Sequence, residues 1–152
     1  DCKDVTPSNE HEENLWVCPG CGHHDRIDAE DYFNILFDRS RYNEFNKELY
    51  SADPLGFEDT KKYTQRIEAT MKKTHLRDAI RTASGKIEGN KVVIAAMDFK
   101  FIGGSMGSVV GEKIARAIDK AISSKAAFMI ISKAGGARMM EAGFSLMQMA
   151  KT

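Results

Sequence analysis

Cys18-Pro-Gly-Cys21-Gly22 sets two thiols on a tight turn, three positions apart, which is half of a zinc knuckle. One other cysteine exists in the chain, Cys2. Zinc takes four ligands, so three readings stay open. The site is completed by His11, His23 or His24, or the CxxC is a coincidence, or a four-thiolate site is cut in two. Fifteen residues lie between Cys2 and Cys18, inside the spacing of a C-x2-C-x15–20-C-x2-C ribbon. On the last reading Cys2 closes a first pair whose other member lies upstream of Asp1.

Two glycine pairs are the other places where chemistry is expected. Each follows an apolar run and precedes a helical pattern, where unpaired backbone N–H groups and the positive helix end can receive an anion. Gly103-Gly104-Ser-Met-Gly107 fits neither GxxxxGK[ST] nor GxGxxG in register, which excludes both nucleotide fingerprints. Gly103 and Gly104 serve either tight-turn packing or ligand contact. In Lys133-Ala-Gly-Gly-Ala-Arg138, the amides of Gly135 and Gly136 can point into a cleft as an oxyanion hole. Arg138 falls in the first turn of the following helical pattern, where a cation opposes the helix dipole. It is read either as a substrate-binding residue or as the partner of Glu141 on a solvated face. No Ser-His-Asp or Cys-His set and no carboxylate pair stands out, so an enzyme built this way relies on backbone amides.

The elements that position these residues follow from periodicity. Asp28 reads as an N-cap for a helix with Tyr32, Phe33, Leu36 and Phe37 on one side. Ser51-Ala-Asp-Pro-Leu-Gly56 is a turn, and residues 58–74 form a helix with a stripe through Tyr63, Ile67 and Met71. Strand-like runs over 78–88 and 91–99 flank a Gly89-Asn90 hairpin signal. Val92 to Ala96 reads as a strand buried on both faces. A helix runs to about Ser124 with Val110, Ile114, Ala117, Ile118 and Ala121 inward. A second buried strand spans 126–132, and a Met-rich helix spans 137–151. Met139, Met140, Met147 and Met149 read as core or subunit interface. The class is α/β.

With 22 basic and 22 acidic residues, no global field draws nucleic acid or an anionic membrane. Residues 1–50 carry 12 acidic and 5 basic residues, and residues 101–152 carry 3 and 7. The basic half suits an anionic ligand or is simply a solvated face. Three cysteines do not make a disulfide framework and fit a reducing compartment. No run is long enough to span a membrane. The absence of an initial Met and the stop inside a helical pattern are read as marks of a fragment.

Four blocks carry a family resemblance: VCPGCGHH, SADPLGFEDTKKY, MDFKFIGGSMGSVVGEKIARAI and ISKAGGARMMEAGFSLMQMAKT. Together, in collinear order along essentially the whole chain, they closely resemble the carboxyltransferase beta subunits of bacterial and plastid acetyl-coenzyme A carboxylase. The resemblance implies a four-cysteine zinc ribbon ahead of a ClpP/crotonase-type fold of repeated ββα units, incomplete here. It implies three regions: a ribbon module over 1–27, a helical connecting region over 28–77, and the start of the carboxyltransferase core over 78–152. Cys2, Cys18 and Cys21 match zinc ligands. Gly135 and Gly136 match a turn that lines the coenzyme A thioester, and Gly103 and Gly104 match a family block without a defined role.

The implied activity is transfer of a carboxyl group from carboxybiotin to acetyl-coenzyme A, giving malonyl-coenzyme A for fatty acid synthesis. Carboxybiotin releases carbon dioxide, and the ureido anion left behind deprotonates the acetyl methyl group, so biotin is itself the base. The implied partners are an alpha subunit in an α2β2 assembly, a biotin carboxyl carrier protein and biotin carboxylase, within an ATP-binding complex. The implied cofactors are Zn2+ and carrier-borne biotin. The compartment is the bacterial cytoplasm, or the plastid stroma for a plastid gene. Lys133 and Ala134 stand where the family commonly has serine before the glycine pair. Two alternatives are a nucleic-acid-binding zinc ribbon, disfavoured because Lys3 and Arg26 are its only cations, and a carboxyltransferase for another acyl-coenzyme A such as propionyl-coenzyme A.

Overall fold

The computed structural model describes residues 2–3 and 5–152. Its centre is a four-stranded sheet in the order β1-β2-β3-β4, from Tyr42–Phe45, Ile80–Ile87, Asn90–Met97 and Ala127–Ile131. The first three strands run antiparallel, and β4 lies parallel to β3 after a helical crossover. The helices are α1 (Ser8–Glu13), α2 (Ala29–Leu36), α3 (Tyr63–Thr74), α4 (Ser108–Ser124) and α5 (Gly143–Lys151).

The continuous apolar run of β3 is explained by helices on both faces of the sheet. Side chains alternate across a strand. Val93, Ala95 and Met97 therefore join Val110, Ile114, Ala117 and Ala121 of α4 in one core cluster. Val92, Ile94 and Ala96 face the other way, onto Ala29, Phe33 and Phe37 at α2. A third cluster, Tyr63, Ile67 and Met140, seats α3.

Local chemistry sets the element ends. Asp28 caps α2 by accepting from the Glu30 and Asp31 amides at 3.0 and 3.1 Å, while Asp31 accepts from the Asp28 amide at 2.8 Å. That reciprocal pair is a capping box. The β2–β3 turn consists of Glu88 and Gly89, both at positive φ, because Ile87 pairs with Asn90. It lies one residue earlier than Gly89-Asn90 and has the twist two-residue hairpins prefer. Asp38 clamps it, accepting from the amides of Glu88 and Gly89 at 2.8 and 2.9 Å.

The structure departs from these expectations in four places. Residues 8–13 form α1 and residues 42–45 form β1, two elements the sequence pattern did not announce. Strand β4 is an edge strand, with Met129 and Ile130 exposed at 38% and 47%, so it is not buried on both faces. The helix expected over 137–151 is broken by Ala142 (φ 45°, ψ −123°) into a 3₁₀ turn, Met139–Glu141, and α5. Of the four methionines in that stretch only Met140 is buried; Met139, Met147 and Met149 are exposed.

Gly85 in β2 leaves the space that Phe37 fills: a Cβ there would lie 2.5 Å from the ring and 2.9 Å from the Arg41 carbonyl. Gly85→Ala is expected to destabilise the protein by about 1–3 kcal/mol through overpacking, read as a lower urea midpoint with an unchanged slope.

Candidate functional site

Parallel pairing of Ala96 with Ile131 makes β3 and β4 end together, so the two Gly-Gly turns leave the same end of the sheet. They then lock onto each other. The Gly135 amide donates to the Gly103 carbonyl, the Met106 amide to the Gly136 carbonyl and the Arg138 amide to the Met106 carbonyl, each at 2.9 Å. Gly104 has φ +67°, and a Cβ on it would lie 1.9 Å from the Lys133 carbonyl oxygen. Only a residue without a side chain allows this approach. Gly103 (φ +63°) and Gly136 (φ +117°) would meet no atom within 4 Å, so their demand is conformational alone.

This pairing corrects the expected amide pair. The Gly135 N–H is occupied by Gly103 and is not open to a ligand. Among the described residues, the consecutive amides of Gly136 and Ala137 have no protein acceptor, and both residues are exposed. Neighbouring N–H groups at a positive-φ bend form the kind of concavity that receives an anion.

Arg138 is also corrected. It is 1% exposed, it precedes a 3₁₀ turn rather than lying inside a helix, and it does not sit on a solvated face. Its guanidinium grips Asp78 through two bonds of 2.8 and 3.2 Å. It also donates to Ser51 Oγ at 2.5 Å, Tyr63 Oη at 3.2 Å, and the Ser105 carbonyl and hydroxyl at 2.8 and 3.2 Å. Glu141 lies 3.5 Å away, so the i,i+3 pair exists, but buried. Ser51 additionally donates to Asp78.

Electrostatics explain how two carboxylates share one guanidinium. Glu141 Oε2 accepts from the Ser108 amide at 2.7 Å, capping α4 where Gly107 has no side chain to do so. The positive end of α4 thus balances part of its charge. A Cβ on Gly107 would lie 2.7 Å from Glu141 Oε1, so that glycine makes room for the remote cap. Burial pushes the Tyr63 phenol up to about 12, Arg138 opposing and Glu141 adding to the shift. Tyr63 therefore stays protonated and donates to Glu141 at 2.7 Å. Burial alone would weaken the Arg138 cation, but its Asp78 partner outweighs this and raises its pKa.

Sequence reasoning missed Asp78, Ser51 and Tyr63, which reach Arg138 from 60, 87 and 75 positions away. It also missed the use of Lys133. That ammonium donates to the Ile27 carbonyl and sits 4.8 Å over the Tyr32 ring. With Arg26 stacked 4.4 Å over Phe99 and Lys100 paired to Asp28 at 3.1 Å, it fastens residues 26–32 to the ends of β3 and β4.

At the N-terminus, Cys2, Cys18 and Cys21 converge, with their sulfurs within 4.8 Å of one another. A small hairpin shapes this cluster: Val17 bridges His24, and the Cys18 amide donates to the His23 carbonyl at 2.8 Å. Backbone amides of Cys21 and Gly20, followed by the neighbouring thiols, lower the Cys18 pKa, which favours the thiolate a soft metal ion binds. His11 and His23 turn instead to Asp25, at 2.7 and 3.6 Å.

Residues 44–152 match the carboxyl transferase domain family. The acetyl-coenzyme A carboxylase carboxyl transferase subunit beta of Christiangramia forsetii is 60% identical over 148 residues, 97% of this chain and 52% of its own. The subunit of the same name from Pedobacter heparinus is 58% identical over 151 residues, 99% of this chain and 54% of its own. The chain thus spans about half the length of these curated relatives. Among solved structures, transcarboxylase 12S superposes with a TM-score of 0.67 at 25% identity, over 83% of this chain and 22% of its own. The beta subunit of a Pseudomonas aeruginosa geranyl-CoA carboxylase superposes with a TM-score of 0.60 at 17% identity, over 94% and 25%, and shares the fold.

The close approach of the turns yields a paired expectation. Gly103→Ala carries only left-handed strain, about 1–2 kcal/mol. Gly104→Ala adds a clash with backbone and is expected to cost roughly 2–5 kcal/mol. Thermal unfolding of the two variants checks the order, and equal losses would mean the turns can part freely.

Proposed function

Because the chain belongs to the carboxyl transferase domain family, we propose that it is the ribbon and first core half of an acetyl-coenzyme A carboxylase carboxyltransferase beta subunit. In this reading it serves transfer of a carboxyl group from carboxybiotin to acetyl-coenzyme A, forming malonyl-coenzyme A. The observation that carries the reading is collinear identity of 60% and 58% to subunits of that name across nearly the whole chain. Its partners are an alpha subunit, the biotin carboxyl carrier protein and biotin carboxylase, and its compartment is the bacterial cytoplasm. No described helix is long and apolar enough to cross a membrane.

In this reading the ribbon spans 1–27, the connector 28–77, and a crotonase-type core starts at 78; β2, β3 and α4 form one ββα unit, whose sheet β1 of the connector joins. Carboxybiotin, when bound, supplies the carboxyl group and the base. This chain's part is electrostatic. Deprotonation of the acetyl methyl group moves charge onto the thioester oxygen, and the amides of Gly136 and Ala137, which have no protein acceptor, would receive such an oxyanion. Amides of this kind contribute roughly 3 kcal/mol each in water-excluded sites. Gly135 and Arg138 act behind them by fixing the turn.

Three converging thiols fit zinc, a closed structural site being the ordinary outcome for such a soft set. Cys2, Cys18 and Cys21 would hold the ion and, with a fourth thiolate, crosslink a module too small for its own core. The group of ligand atoms within 4.8 Å of one another holds the three thiols alone, while the Nε2 atoms of His11 and His23 face Asp25.

Two measurements test this reading. The complete protein, assembled with its alpha subunit, is expected to form malonyl-coenzyme A from a carboxybiotin donor and to prefer acetyl- over propionyl-coenzyme A; a folded assembly with no turnover above background would sink the assignment. Metal analysis of the complete protein should find one zinc per chain in His23→Ala and His24→Ala and none in Cys18→Ser. Loss of zinc in either histidine variant would replace the four-thiolate site.

A further inference from the structure

Arg138 stands two residues after Gly136 along the chain, and its guanidinium closes on Ser105, the residue after Gly104. It therefore grips both Gly-Gly turns within two residues of each pair. Its own amide donates to Met106 and its own carbonyl accepts from Ser145 at the start of α5. Beyond the turns it reaches Asp78 before β2, Ser51 in the connecting loop and Tyr63 at the start of α3. Five segments distant in sequence thus meet on one planar, five-donor group, and Phe101 covers its face at 5.4 Å. A buried ion pair of this sort adds little net stability over an apolar replacement. What the fork adds is direction, because its donors are rigidly oriented where those of lysine rotate.

We propose that Arg138 is a positioning residue for carboxyl transfer: through Ser105 and Asp78 it sets the mutual register of the two Gly-Gly turns, and so the aim of the Gly136 and Ala137 amides. The role rests on the activity proposed above, since only an oxyanion makes the aim of those amides matter. Arg138 touches no reacting atom in this scheme. It acts through the backbone beside it, where a shift of about 1 Å can cost on the order of 100-fold in rate.

The experiment pairs Arg138→Lys with Ser105→Ala in the complete, assembled protein. Amide hydrogen exchange is followed over residues 101–107 and 132–138, and kcat and KM for acetyl-coenzyme A are measured in parallel. Arg138→Lys keeps the charge and loses the fork. Exchange in both turns is expected to rise about tenfold or more while the β2–β3 amides hold. On the same basis kcat should fall on the order of 100-fold, with KM within about twofold of wild type. Ser105→Ala removes one acceptor and should give the same pattern, weaker. It decides the question should Arg138→Lys fail to fold. Unchanged exchange in the turns overturns the proposal, and so does a rise in KM alone, which marks a substrate contact. A wild-type assembly without turnover defeats the proposed function instead, and exchange in the turns still reports whether Arg138 sets their register.

Discussion

The buried grip of Arg138 on Asp78 is the interaction on which the arrangement of this protein turns. Neither group can be removed alone without leaving an unpaired charge in a dry interior, a loss of about 3–5 kcal/mol. Both side chains are fully buried, so the pair dictates that β2, the loop at Ser51, α3 and the two glycine turns come together in one way. Glu141 is held in the same knot by Tyr63 and by the amide of Ser108. Its charge sits against the positive end of α4, which lets two carboxylates coexist around one guanidinium.

Glycine is what lets backbone stand where side chains otherwise would. Gly104 lies against the Lys133 carbonyl and Gly107 against the Glu141 carboxylate. The turns therefore share hydrogen bonds directly, and the donors left over are a consequence of that sharing. Gly135 gives its amide to Gly103, and the next two amides remain available. A pair of glycines in a sequence thus marks close approach, while the identity of the open donors is decided by the neighbouring turn.

The segment that follows the cysteine cluster is tied to the same end of the sheet. Lys133, immediately before the second turn, reaches back to Ile27 and Tyr32, while Arg26 and Asp28 hold Phe99 and Lys100. Cation–π contacts and charged hydrogen bonds of this kind are individually modest. Together they fasten the connector beside the turns.

Sequence alone determined the elements with strong local signals: α2 by its Asp28 cap, β2 and β3 by a glycine hairpin, and α4 by its stripe of Val110, Ile114, Ala117 and Ala121. It also determined the Cys18–Cys21 half of the cysteine cluster, because a CxxC turn carries its geometry within four residues, and the two glycine turns as places of interest. The four-residue strand β1 escaped notice because it is held by pairing with β2, which no local pattern encodes. The helix expected from 137 was interrupted because the backbone bends at Ala142 to seat Glu141 over α4. The amide pair and the burial of Arg138 were decided only by tertiary structure. Hydrogen-bond donors are allocated, and charges desolvated, by neighbours 32 to 87 residues away, and such neighbours exist only once the chain has folded.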